Sequence, residues 1–115
     1  MTPPLESRKY LWDALRAADW VTLHIASRRW EDYLVDETLR LAVERQLEIV
    51  GEALGQMARR DPDTASAIPE LGQIVGFRNV LAHGYADIDH ERVWRIITTQ
   101  LPGLRETLAR LLGET

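Results

Sequence analysis

The chain has 115 residues, 45% of them hydrophobic and 28% charged, and its 18 acidic side chains outnumber 14 basic ones for a net charge of −4. That is the size of one domain with a modest core, and the acidity speaks against broad, non-specific adhesion to nucleic acid, which needs a basic surface. The absence of cysteine excludes disulfides and thiolate metal sites. Met-Thr-Pro-Pro is not the basic-then-apolar start of a secretory leader. No apolar run approaches the ~20 residues of a bilayer span, so a cytoplasmic protein without membrane attachment is expected.

After a Pro3-Pro4 leader, Ser7 is placed to cap a first helix over 7–28. Its apolar stripe is Leu11, Ala14, Leu15, Ala18, Val21 and Ile25. Trp12 and Trp20 lie off the centre of that stripe, where they either widen the core or cover a partner, and His24 reads as a surface histidine. Residues 30–35 read as a short connector anchored by Trp30, Tyr33 and Leu34. Asp36 then caps a second helix over 37–60, with Leu39, Val43, Ile49, Val50, Leu54 and Met57 among its buried residues. Gly51 and Gly55 are four apart, and each costs a helix ~1 kcal/mol relative to alanine. They therefore suggest a flat strip for close approach of another backbone. Glu44, Glu48 and Glu52 form an acidic ridge at i+4 steps; a solvated place is expected for Glu44, whereas Glu48 and Glu52 are candidates to turn inward and pair with Arg78.

Asp61-Pro62-Asp63 stops that helix, and a loop runs to Ile68. Pro69 suits the first position of a third helix, where its missing N–H matters little. Leu71, Ile74, Val75, Arg78 and Ala82 share one face of it, and Gly72 and Gly76 repeat the flat-strip spacing. Asp87 or Asp89 caps a fourth helix carrying Val93, Trp94, Ile96 and Ile97; Pro102-Gly103 must kink or split it before Leu104, Leu108, Leu111 and Leu112. No stretch alternates with a period of two. The expected fold is all-α: a single domain over 1–115, with its core over about 7–112. It is an antiparallel four-helix bundle whose last helix is kinked or split at Pro102-Gly103.

The end of the third helix carries the chemistry. In Gly76-Phe77-Arg78-Asn79-Val80-Leu81-Ala82-His83-Gly84-Tyr85, a guanidinium and an imidazole stand five residues apart, about 140° of helical rotation. Asn79 and His83, four apart, sit nearly above one another. Gly84 suits the left-handed position that closes a helix, with Tyr85 turning back over the end, and the negative end of the helix dipole favours a protonated His83. Thirteen of the 14 basic residues are arginine, the better side chain for forked contacts to phosphate or carboxylate.

This Arg78-x4-His83-x-Tyr85 pattern resembles the R-x4-H-x-Y signature of HEPN-domain proteins, and most closely the HepT-like branch of HepT/MntA pairs, toxins matched with a minimal nucleotidyltransferase antitoxin. The flanking Glu48–Leu54 (EIVGEAL) and Asp87–Leu108 stretches resemble that branch in the same order. The similarity extends over roughly 10–112. It implies a metal-independent endoribonuclease acting as a homodimer on RNA, with Arg78 and His83 catalytic; by its own chemistry Asn79 can orient the phosphate or fix the imidazole tautomer. It further implies that Tyr85 accepts AMP from the partner nucleotidyltransferase.

The residues agree with that chemistry. Cleaving RNA without a metal requires a proton taken from the 2′-hydroxyl, a stabilised phosphorane and a proton for the leaving oxygen. Histidine suits the transfers and arginine the spreading charge. One protomer supplies a single motif histidine, so a base and an acid call for a second copy across a two-fold axis. AMP on Tyr85 would add bulk and a phosphate beside Arg78 and His83. The alternative is a non-catalytic helical subunit that docks a nucleotidyltransferase and holds its nucleotide or substrate. A purely structural reading pairs Arg78 with a glutamate and leaves His83 capping its helix. No metal or cofactor is expected: Asp87-x-Asp89-x-Glu91 lacks the glycine and distal glutamate of a calcium loop, and no glycine-rich phosphate loop with lysine is present.

Overall fold

The computed structural model describes residues 2–83 and 88–113, with the side chains of all of these except 78–80, 82 and 83. Among them the chain is helical and holds no strand. Helix α1 spans Leu5–Ile25, α2 Trp30–Val35, α3 Glu37–Arg60, α4 Pro62–Ala65, α5 Leu71–His83, α6 His90–Arg95 and α7 Leu101–Leu112. A π-helical stretch, Ile96–Gln100, joins α6 to α7.

Helix α3 packs between α1 and α5, and α1 packs in turn against α7. The polar bonds between helices give the directions. Ser7 and Tyr10 near the start of α1 reach Asp61 and Gln56 at the end of α3, and Arg8 donates to the Leu112 carbonyl at the end of α7. Both neighbours of α1 therefore run antiparallel to it, and the bundle is the expected one. Leu11, Ala14, Ala18 and Val21 of α1 are fully buried against Val43, Val50, Leu54 and Met57 of α3 and Leu101, Leu104 and Leu108 of α7. Each buried leucine of this kind contributes about 1.5–3 kcal/mol.

Local chemistry moved several boundaries. Helix α1 starts at Leu5 rather than after Ser7. Pro4 occupies the N-cap without a side-chain bond, while the Ser7 hydroxyl, buried in the first turn, donates to Asp61 Oδ2 at 2.6 Å. The helix also ends earlier than expected, at Ile25, where the Arg28 N–H closes a turn onto the Ile25 carbonyl. Residues 30–35 are a helix rather than a connector, because the Asp32 carboxylate accepts the Arg29 N–H at 2.9 Å and stabilises the start of the turn. The 61–68 loop contains α4, begun by Pro62 and capped by Asp61, which accepts from Thr64 N–H and Oγ1. Helix α5 begins at Leu71, not Pro69, since the Leu71 N–H is turned back to the Ile68 carbonyl.

Glu44 corrects the expectation of a solvated residue: it is 8% exposed and faces α6. The joint in the last helix lies just before Pro102, which falls in the first turn of α7. A proline there has no N–H for the Thr98 carbonyl and crowds it. The wider π register precedes it, with the Leu101 N–H reaching the Ile96 carbonyl, and the Thr98 and Thr99 hydroxyls donate to the carbonyls of Trp94 and Arg95.

Candidate functional site

Helix α5 is held to the bundle by Ile74, Phe77 and Leu81, all about 5% exposed and spaced three and four apart. On its outer side Gly72 and Gly76 are exposed, and an added Cβ at either would meet nothing within 4 Å. The helical backbone continues to His83. The buried stripe is thus Ile74, Phe77 and Leu81, whereas Leu71 and Val75 of the expected face are only partly buried. The side chains of Arg78, Asn79 and His83, and the whole of Gly84, Tyr85 and Asp87, lie outside the described residues.

The glycine pairs differ in their surroundings. Gly55 is buried on α3, and a Cβ there would meet the Val75 side chain of α5 at 3.5 Å. The approach is to a side chain, and at an ordinary distance. Gly72 and Gly76 instead border an open cleft of about 500 Å³ between α5 and the α6–π segment.

Glu48 and Glu52, the candidate partners of Arg78, take different places. Glu48 pairs with Arg45 at 3.2 Å on the half-exposed side of α3. Glu52 is exposed and lines a groove of about 450 Å³ between α1 and α3, together with Trp12 and Trp20. Trp12 is exposed at the rim, whereas Trp20 is partly buried and packs against the core; Trp20 stacks on His24 at 3.8 Å and Arg16 lies 5.2 Å from the Trp12 ring. His24 is exposed, as expected.

The first described turn after the motif is tied down by an expected cap and by a contact that sequence reasoning missed. Asp89 caps α6 by accepting the Arg92 N–H, as expected of one of the two aspartates. His90 Nδ1 lies 3.8 Å from Glu44 Oε2, within ion-pair reach and too far for a hydrogen bond. Burial raises the Glu44 pKa, opposed by Arg40 and reinforced by Glu48. Burial, with Arg40, lowers that of His90, against Asp89. Burial thus disfavours the charge on both groups. Behind it the Tyr33 ring is fully buried, 5.2 Å from that of Trp94. Burial and the nearby Glu44 raise its hydroxyl pKa well above the usual range. The available signal was positional: Glu44 follows the core residue Val43 and precedes Leu47 by three.

Among the described residues no cluster of His, Asp and Glu could hold a metal ion, and no helix is long and apolar enough to cross a membrane.

Comparison with known proteins places this arrangement. Residues 14–111 match the family described as Ribonuclease HepT-like. A Caldanaerobacter subterraneus protein named "Putative RNase TTE0752" is 28% identical over 105 residues, covering 91% of this chain and 93% of its own. "Probable ribonuclease HepT" of Thermococcus cleftensis is 27% identical over 106 residues, covering 90% and 94%. A Methanocaldococcus jannaschii protein, "Putative RNase MJ1380", is 28% identical over 99 residues, covering 86% and 90%. No solved structure matches the chain. With the family matched over residues 14–111 and the described residues forming an all-helical bundle, the chain belongs to the HepT-like family of HEPN ribonucleases.

Proposed function

We propose that this ribonuclease is the toxin of a toxin–antitoxin pair, a homodimer that cleaves RNA through Arg78 and His83 and is silenced by AMP transfer to Tyr85. The reading is supported by the sequence Arg78-x4-His83-x-Tyr85, which resembles the HEPN signature, in a chain that matches the HepT-like family over residues 14–111. One His83 takes the proton from the RNA 2′-hydroxyl, whose oxygen attacks the adjacent phosphorus. His83 of the partner subunit gives a proton to the departing 5′-oxygen. Arg78 of each copy balances the charge on the phosphorane, and Asn79 orients the phosphate.

In the silencing step the Tyr85 hydroxyl oxygen attacks the α-phosphorus of ATP, bound to the partner nucleotidyltransferase. An O–P bond forms, the bond to pyrophosphate breaks, and the phenolic proton passes to solvent. The adenylate then occupies the substrate's place beside Arg78 and His83.

Induced expression of the wild type, His83→Ala and Arg78→Ala, with total RNA followed on gels, tests this reading. Growth arrest and RNA loss are expected only from the wild type. Equal cleavage by all three proteins, or intact RNA with the wild type, overturns it.

A further inference from the structure

The cleft between α5 and the α6–π segment is open, about 500 Å³ in volume, and its described charged lining is two arginines, Arg92 and Arg95. That is a positive site on a chain of net charge −4. The arginines are neighbours three apart on α6, where like charges repel. Neither forms an ion pair among the described residues. Of the nearby carboxylates, Asp89 accepts the Arg92 backbone N–H, Glu91 borders a second hollow beside Trp30 and Trp94 that Arg95 also lines, and Glu70 lies against Gly103. Arg92 rests over the Phe77 ring at 5.3 Å. A cation–π contact of this kind uses no hydrogen-bond acceptor, so it does not by itself occupy the N–H donors of Arg92.

The opposite wall is backbone. Gly72 and Gly76 present no side chain, so a polymer can lie close along α5. Gln73 and Gln100 border the same space with amides that both donate and accept. The π register brings Thr99 and Gln100 to the wall, and such irregular turns recur at binding sites. The volume suits a short stretch of single strand and is too small for a duplex.

We infer that this cleft is an RNA-binding track, in which Arg92 and Arg95 hold phosphodiesters of a single strand lying along the Gly72–Gly76 side of α5. The inference rests on the ribonuclease reading for the identity of the polymer. It adds a binding surface upstream of the motif on the same helix, and the glutamines give it a means of distinguishing bases.

The test uses the full-length His83→Ala protein, so that binding is read without cleavage, and a labelled single-stranded RNA oligonucleotide. Anisotropy titrations across a salt series compare it with the same protein carrying R92Q and R95Q. Binding is expected to weaken at least ~tenfold. The slope of log K against log salt is expected to fall by about 1.4, since each of the two phosphates no longer neutralised accounts for ~0.7. The melting temperature is expected to stay unchanged. Unchanged affinity and slope overturn the track while leaving the catalytic reading intact. The track is overturned as well if the double substitution changes only the oligomeric state in sedimentation, which would make the cleft a protein interface. An arginine-dependent slope in a protein whose wild type leaves RNA uncut sustains the track and overturns the catalytic reading.

Discussion

His90 at the start of α6 meets the buried carboxyl of Glu44 on α3 at 3.8 Å, and burial disfavours the charge on both. The two shifts act oppositely on stability. The Glu44 pKa is raised, so its contribution is full below the ordinary value of 4.5 and lost as pH rises through the folded value. The His90 pKa is lowered, so its contribution is present above 6.5 and lost as pH falls through the folded value. Glu44→Gln removes a buried charge and is expected to raise the melting temperature at pH 7. Its advantage should shrink as pH drops toward 4.5. Melting curves between pH 4 and 8 check this, and a lower melting temperature at pH 7 contradicts it.

Asp61 sits at the opposite end of the bundle, and its pKa is lowered by hydrogen bonds from Ser7 and Thr64. Its contribution is therefore present above the ordinary 3.8 and lost as pH falls through the folded value. Ser7→Ala is expected to destabilise the protein at neutral pH, with the gap from wild type closing under acid. Chemical denaturation at pH 7 and pH 3 measures both arms.

Gly55→Ala places a methyl 3.5 Å from Val75, an ordinary contact. The α3 helix gains intrinsic propensity of about 1 kcal/mol without a clash. A rise of roughly 4 °C in melting temperature is expected. A fall would mean that α3 and α5 approach more closely than this geometry shows.

Gly72→Ala with Gly76→Ala separates stability from binding. Both methyls enter open space, so each is expected to stabilise α5 by up to ~1 kcal/mol. The same methyls narrow the cleft beside Arg92 and Arg95, and RNA affinity should drop several-fold. Calorimetry and anisotropy on one preparation read the two effects, which must move in opposite directions.

His83→Ala is expected to reduce RNA cleavage by about 10²–10⁴-fold, the usual contribution of a general acid–base group, with little change in melting temperature. Tyr85→Phe should retain toxicity and escape the partner nucleotidyltransferase, because it has no hydroxyl to modify. Mass spectrometry after incubation with the partner and ATP should find an added adenylate on the wild type alone.

Much of the fold is legible in the sequence because apolar residues recur at helical spacing. Leu11, Ala14, Ala18 and Val21 announce the buried face of α1, as Val43, Val50, Leu54 and Met57 do that of α3. Expectation and structure part where one side chain chooses between a local and a distant partner. Ser7 lies near a helix start, where a cap is expected, yet its hydroxyl bonds to Asp61, 54 residues away. Glu44 shares the spacing of its acidic neighbours, yet its position also borders the α3 core, and there it is buried.

Local spacing by itself determined the helical class, the family motif and the register of Asn79 and His83 along α5, since each depends on nearest neighbours in the chain. Only the tertiary structure decided that Arg92 and Arg95 would face Gly72 and Gly76 across an open cleft, and that Glu44 would meet His90. Those residues are far apart in sequence. Packing of α2, α3, α5 and α6 brings them together, and no periodicity within a single helix encodes the choice.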